Sequence, residues 1–259
     1  MLPIRVLFIH GLESHPQGSK VRILREQGFD VVAPDMQMAV LQFKRRNSVL
    51  RQLLRLPETW LAGVVIGISS VLCIVGSSVL GLTATILLGL IWGAVRGRAL
   101  VAKAFARSFA ACVEVQRAAV QREKPEIIVG SSWGGAIAAE LIIRGEWSGP
   151  TVLLAPAILK ASEWMGRLDS TDKMESIRAR STQVPIVVFH DPSDDTVPHQ
   201  DSVELARGSR IDFRSVDAGG HRLMGLLNRG ELAEAIQGLS SPGDNRHRPD
   251  GSSHPATQG

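Results

Sequence analysis

The sequence predicts an α/β fold, a mainly parallel sheet of about six strands with helices on both faces. Two observations carry this. Short apolar runs of strand length alternate with segments of helical length, from PIRVLFI at 3–9 to RIDFRSV at 210–216. The inner runs are continuously apolar rather than alternating, the pattern of strands buried on both faces. The length agrees: 259 residues suit one domain of roughly 200–250 residues with something added.

The elements follow in order. The run 3–9 is a first strand that breaks at His10-Gly11. Pro16 to about Gln27 reads as a helix with Gly28 as its C-terminal stop. FDVVA (29–33) is a second strand, closed by Pro34-Asp35. Arg98 to Glu123 reads as one long amphipathic helix that ends before Pro125, because the residue before a proline is pushed out of the helical region. EIIVG (126–130) is a strand, and Trp133 to Arg144 a helix stopping at Gly145. TVLLA (151–155), VPIVVFH (184–190) and RIDFRSV (210–216) complete six strands, with helices at about 199–207 and 230–238. The residues after Ser240 are polar and rich in Pro, Gly and Ser, so 241–259 reads as a disordered tail. The core is thus expected from 1–35 and 98–240, interrupted by an insert at 36–97.

The insert is the compositional anomaly. Residues 59–95 contain no Asp, Glu, Lys, Arg or His, and 24 of these 37 residues are apolar. The remainder, about 41% apolar and 24% charged, is ordinary soluble composition. Strands on both sides of the insert must join one sheet, so an odd number of membrane crossings is excluded. The expectation is an apolar helical hairpin turning near Gly76-Ser77-Ser78, with arms of about 17 residues that either span a bilayer or dip into one leaflet. Lys44, Arg45, Arg46, Arg51 and Arg55 precede it, and Arg96, Arg98, Lys103 and Arg107 follow it. Such basic flanks suit anionic headgroups and place the sheet-bearing domain on the cytoplasmic side. Gly63 and Gly67, and Gly89, Gly93 and Gly97, fall on single helix faces and suit close helix approach, within the hairpin or between copies of the chain. Trp60 and Trp92 stand near the two ends, where indoles favour an interface. A greasy soluble cap folded over the carboxyl edge of the sheet is the competing reading.

The net charge of +4 is too diffuse to indicate nucleic acid. Cys73 and Cys112 form no disulfide framework or C-x-x-C pair. The start MLPIRVLFIHGL is too short for a signal segment and reads as a strand. His10, His15, His190 and His199 have no metal-ligand spacing, and there is neither a G-x-G-x-x-G nor a lysine-bearing phosphate loop; no cofactor is expected.

Chemistry concentrates in GSSWGG at 130–135, between a strand and a helix. Gly130-Ser131-Ser132-Trp133-Gly134 fits G-x-S-x-G, a tight turn that exposes the central serine. A Cβ at either glycine would clash with the neighbouring strand or helix. The N–H of Trp133, at a helix N-terminus, suits a developing oxyanion. A serine hydroxyl needs a base and an orienting acid. After the strand ending at His190 comes DPSDDTVP, and after the next strand DAGGHRL, so Asp194 and His221 stand at the carboxyl edge of the sheet. Asp191 and Asp195 compete with Asp194, which alone has the D-x-x-V-P spacing.

Together FIHGLESHP, GSSWGG, HDPSDDTVP and GGH resemble the α/β-hydrolase superfamily, particularly its small esterase-like members. The resemblance covers about 1–35 and 98–240. It implies a Ser132–His221–Asp194 triad with an oxyanion hole from the N–H groups of Trp133 and Leu12. His190-Asp191 departs from the His-Gly common in the family. The implied activity is hydrolysis of carboxylic esters or thioesters, with lipid-like acyl substrates reaching the site from the membrane contacted by 59–95. The alternatives are a non-catalytic membrane scaffold that keeps the fold, and a serine peptidase or acyltransferase.

Overall fold

The computed structural model describes residues 2–38, 48–60, 63–64, 67, 71, 79–166 and 170–240. Six strands form one sheet: β1 (Arg5–Ile9), β2 (Asp30–Val32), β3 (Ile127–Ser131), β4 (Thr151–Leu154), β5 (Ile186–His190) and β6 (Asp212–Ser215). Their order is β2-β1-β3-β4-β5-β6, and every pairing is parallel. β3, β4 and β5 are buried at every residue, as their unbroken apolar runs require. Alternate residues feed opposite cores. Leu7, Ile9, Ile128, Leu153 and Val188 enter one, and Val6, Phe8, Ile127, Val129, Val152 and Phe189 the other.

On the second face lie α1 (Ser19–Glu26) and, near the C-terminus, α8 (Met224–Asn228) and α9 (Glu231–Ser240). The first face carries α2 (Ser48–Leu54), α3 (Val79–Glu123), α4 (Trp133–Ile143), α5 (Ile158–Trp164), α6 (Ser170–Arg180) and α7 (His199–Ala206). α5 and α6 have no counterpart in the sequence reading. α6, STDKMESIRAR, is polar nearly all round and among its described side chains buries only Met174 and Ile177, too few for a legible apolar stripe.

The largest departure is α3. Expected from Arg98, it begins at Val79, so the second arm of the insert and the core helix are one helix of 45 residues, about 67 Å long at 1.5 Å per residue. The boundary drawn between 97 and 98 falls inside it. Its C-terminal half buries Leu100, Ala104, Phe105, Phe109, Cys112, Val113 and Ala119, an i, i+3/i+4 stripe against the sheet layer. In its N-terminal half Thr83, Leu87, Gly93 and Arg96 are exposed. α2 packs on α3, and Glu58 pairs with Lys103 Nζ at 2.9 Å, which brings the start of the uncharged run beside the returning helix.

Among the described residues, no helix is long and apolar enough to cross a membrane. The expected turn near Gly76-Ser77-Ser78, Cys73 and the 241–259 tail lie outside the described residues. A Cβ added at Gly63, Gly67, Gly93 or Gly97 meets nothing within 4 Å among the described residues.

Candidate active site

The site is built on the carboxyl ends of β3 and β5 and on the loop after β6. Ser132 joins β3 to α4 with φ 54° and ψ −116°, a conformation that costs an L-residue energy. The surroundings hold it there. The Ser132 N–H donates to Leu154 O at 2.8 Å, and the Ser132 carbonyl accepts from the N–H groups of Gly135, Ala136 and Ala157. Both motif glycines are sterically required. A Cβ on Gly134 would stand 2.0 Å from the Ile9 carbonyl oxygen in β1, and one on Gly130 2.8 Å from the Gly134 carbonyl oxygen. Behind the turn Trp133 is buried, edge-on to Phe109 at 5.5 Å and Phe105 at 6.0 Å between ring centres. These two rings come from α3, so the long helix braces the residue next to Ser132.

Ser132, His221 and Asp194 are brought together. His221 Nε2 lies 2.9 Å from Ser132 Oγ, and its Nδ1 2.7 Å from Asp194 Oδ2. Burial opposes ionisation of Asp194, but the N–H of Val197, the His221 ring and the N–H of Thr196 outweigh it and hold the carboxyl below its usual range. The competitors are placed elsewhere. Asp195 contacts the neighbouring Thr196 hydroxyl. Asp191 braces the histidine loop: its Oδ2 accepts from the N–H groups of Ala218 (2.7 Å) and Gly220 (2.9 Å), and its Oδ1 from Ser193 N–H and hydroxyl. Burial works against the Asp191 anion as well, and these hydrogen bonds pull its pKa far down.

Leu12 follows the β1 turn, where Gly11 would bring a Cβ to 3.3 Å from Ser132 Cβ. Among the described residues neither the Leu12 nor the Trp133 N–H has a backbone acceptor, and the Trp133 N–H opens α4, where helical N–H groups are unspent.

One group was missed. His190, set aside in the sequence for want of metal-ligand spacing, is buried at the end of β5, and its Nε2 sits 3.1 Å from Asp194 Oδ2 and 3.1 Å from Val197 O. Both partners accept, so Nε2 carries the proton, while Nδ1 accepts from the Ser202 hydroxyl at 2.7 Å. Burial lowers the His190 pKa against the attraction of Asp194, consistent with a neutral ring. One carboxylate oxygen thus serves two imidazoles. The signal available in the sequence was the i, i+4 spacing of His190 and Asp194 at the carboxyl end of an apolar strand.

A cleft of about 370 Å³ opens beside Ser132 and His221, lined also by Gly11, Leu12, Glu13, His15, Lys20 and Arg222. No group of three or more His, Cys, Asp or Glu side chains arranged to hold a metal ion occurs among the described residues.

This sheet, with a serine on a strained strand-to-helix turn and its partners on the loops after β5 and β6, is an α/β-hydrolase fold. The chain is similar to TT1662 from Thermus thermophilus at 15% identity, covering 92% of this chain and 89% of that one with a TM-score of 0.53. Est1E from Butyrivibrio proteoclasticus matches at 12% identity over 91% and 86%, with a TM-score of 0.45. Alpha/beta hydrolase domain-containing protein 10 from mouse matches at 14% over 91% and 90%, also at 0.45. No protein-family model and no curated protein matches the chain.

Proposed function

We propose that the protein is a serine hydrolase of carboxylic esters or thioesters. The observation that carries this reading is the continuous hydrogen-bonded chain Ser132 Oγ–His221–Asp194 at the mouth of a cleft. In it Ser132 attacks the acyl carbon, and His221 Nε2 takes the proton and returns it to the leaving group. Asp194 fixes the Nδ1–H tautomer and stabilises the imidazolium. The Leu12 and Trp133 N–H groups receive the oxyanion of the tetrahedral intermediate. Water then repeats the sequence on the acyl-enzyme, and no cofactor enters.

The test is a fluorophosphonate probe with a short p-nitrophenyl ester. The wild type is expected to be labelled and to turn over the ester, and Ser132→Ala to do neither. Labelling retained in Ser132→Ala overturns the assignment. An unlabelled, inactive wild type favours the non-catalytic scaffold.

The uncharged run 59–95 is read as a membrane-docking element that brings lipid-like acyl esters to this site. Its support is exposed Trp60, Val64, Val71 and Leu87 between basic flanks. With no described helix able to cross, the reading is shallow insertion into one leaflet.

A further inference from the structure

We propose that the cleft beside Ser132 is a subsite for a carboxylate carried by the substrate, held by Lys20 and Arg222. This rests on the hydrolase reading and specifies its substrate class. Lys20 lies in the first turn of α1, and its ammonium donates to Ser131 Oγ at 2.8 Å, on the residue preceding Ser132. An ammonium has three donors, and Ser131 uses one. Among the described residues no carboxylate forms a salt bridge with Lys20, although it lines the cleft that holds Ser132 and His221. A second cation, Arg222, faces the same cleft from the turn carrying His221. Two neighbouring cations on a shared cavity repel each other, and an anion between them removes that cost.

The state of Lys20 records this setting. Burial, reinforced by repulsion from Arg222, pushes its pKa down to about 8 against a smaller attraction from Asp194. The other titratable groups on the cleft are Glu13 and His15 from the loop after β1, and His221. Glu13 on the cleft and Asp194 behind His221 offset much of the charge of the two cations, which favours a monoanionic carboxylate over a doubly charged phosphate.

The experiment compares mono-p-nitrophenyl glutarate with p-nitrophenyl pentanoate for wild type, Lys20→Met and Lys20→Arg, with glutarate binding measured by calorimetry. Wild type is expected to favour the glutarate ester at least tenfold in kcat/KM at pH 7. Lys20→Met should lose at least tenfold of that ratio, and Lys20→Arg should recover most of it. Raising the pH through about 8 should erode the wild-type ratio as Lys20 loses its proton, but not the ratio of Lys20→Arg. A wild-type ratio near one, or an equal ratio in Lys20→Met, overturns the subsite. Absence of turnover of both esters together with absent fluorophosphonate labelling rejects the hydrolase reading instead. Calorimetry then still decides the subsite: glutarate binding weakened tenfold in Lys20→Met supports it, and binding that is equal or undetectable in both proteins rejects it.

Discussion

At the scale of single residues, three carboxylates within five positions take three different parts. Asp194 faces His221, so Asp194→Ala should lower kcat by roughly a thousand- to ten-thousandfold with the fold intact, read by steady-state kinetics and circular dichroism. Asp191 faces only hydroxyl and backbone donors, two of them in the histidine loop. Asp191→Asn turns an amide group toward buried N–H donors, and each stranded donor costs about 1–3 kcal/mol. The expectation is a lowered melting temperature with a smaller rate loss than Asp194→Ala; a loss as large would mean that Asp191 carries the catalytic charge. The pH dependence of stability follows with a definite sign. The folded-state pKa values of Asp191 and Asp194 lie below their unfolded values, so their stabilisation is present above the ordinary carboxylate range and drains away as pH falls below about 4. Thermal melts from pH 6 to pH 2 should show that loss, and a smaller one in Asp191→Asn. The sequence singled out Ser132, Asp194 and His221, which lie within hydrogen-bond distance in the structure, because each stands in a short motif at a strand end. It could not show that His190 shares Asp194, nor that Lys20 reaches Ser131 across 111 positions, since both are products of tertiary proximity.

At the scale of elements, the turn from β3 into α4 is where sequence and packing constrain each other most. Gly134 abuts the backbone of β1, and backbone cannot move aside as a flexible side chain does. Gly134→Ala should therefore cost more than about 4 kcal/mol or abolish soluble expression. Gly238→Ala, at an exposed position of helix α9 with nothing described within 4 Å of the new methyl group, should stabilise by about 0.5–1 kcal/mol. Equal melting temperatures for the two variants would show that the close approach of β1 and α4 is not what fixes the elbow. The same contrast explains what was legible. Strands came through within two residues because an all-parallel interior demands uninterrupted apolar runs. The start of α3 did not, since nothing between Val79 and Val95 is charged and the helix runs on unbroken from that apolar stretch into the core helix.

At the scale of the whole molecule, α3 joins two environments. Through Phe105 and Phe109 it packs on Trp133 beside Ser132, and its other end belongs to the run without charge. The exposed side chains of that run would lower the free energy of the system by leaving water, at about 25 cal/mol per Å² of apolar area removed. Trp60, 66% exposed, is the largest of those described. The exposed cations Arg96 and Arg98 stand where anionic headgroups would meet them, each adding on the order of 1 kcal/mol near such a surface. Two dependences should then appear together in flotation with vesicles. Wild type should bind vesicles containing phosphatidylserine more than neutral ones, and salt should weaken binding without removing it, because only the charged contribution is screened. Trp60→Ala should bind less at every salt concentration, and Arg96→Gln with Arg98→Gln should lose the preference for anionic lipid alone. Equal recovery of all variants in the unbound fraction, from vesicles of either kind, would leave the run as a cap over the cleft rather than a membrane contact. Activity on a long-chain ester presented in those vesicles would separate the same two readings, rising with bound protein only if the arm brings substrate to Ser132.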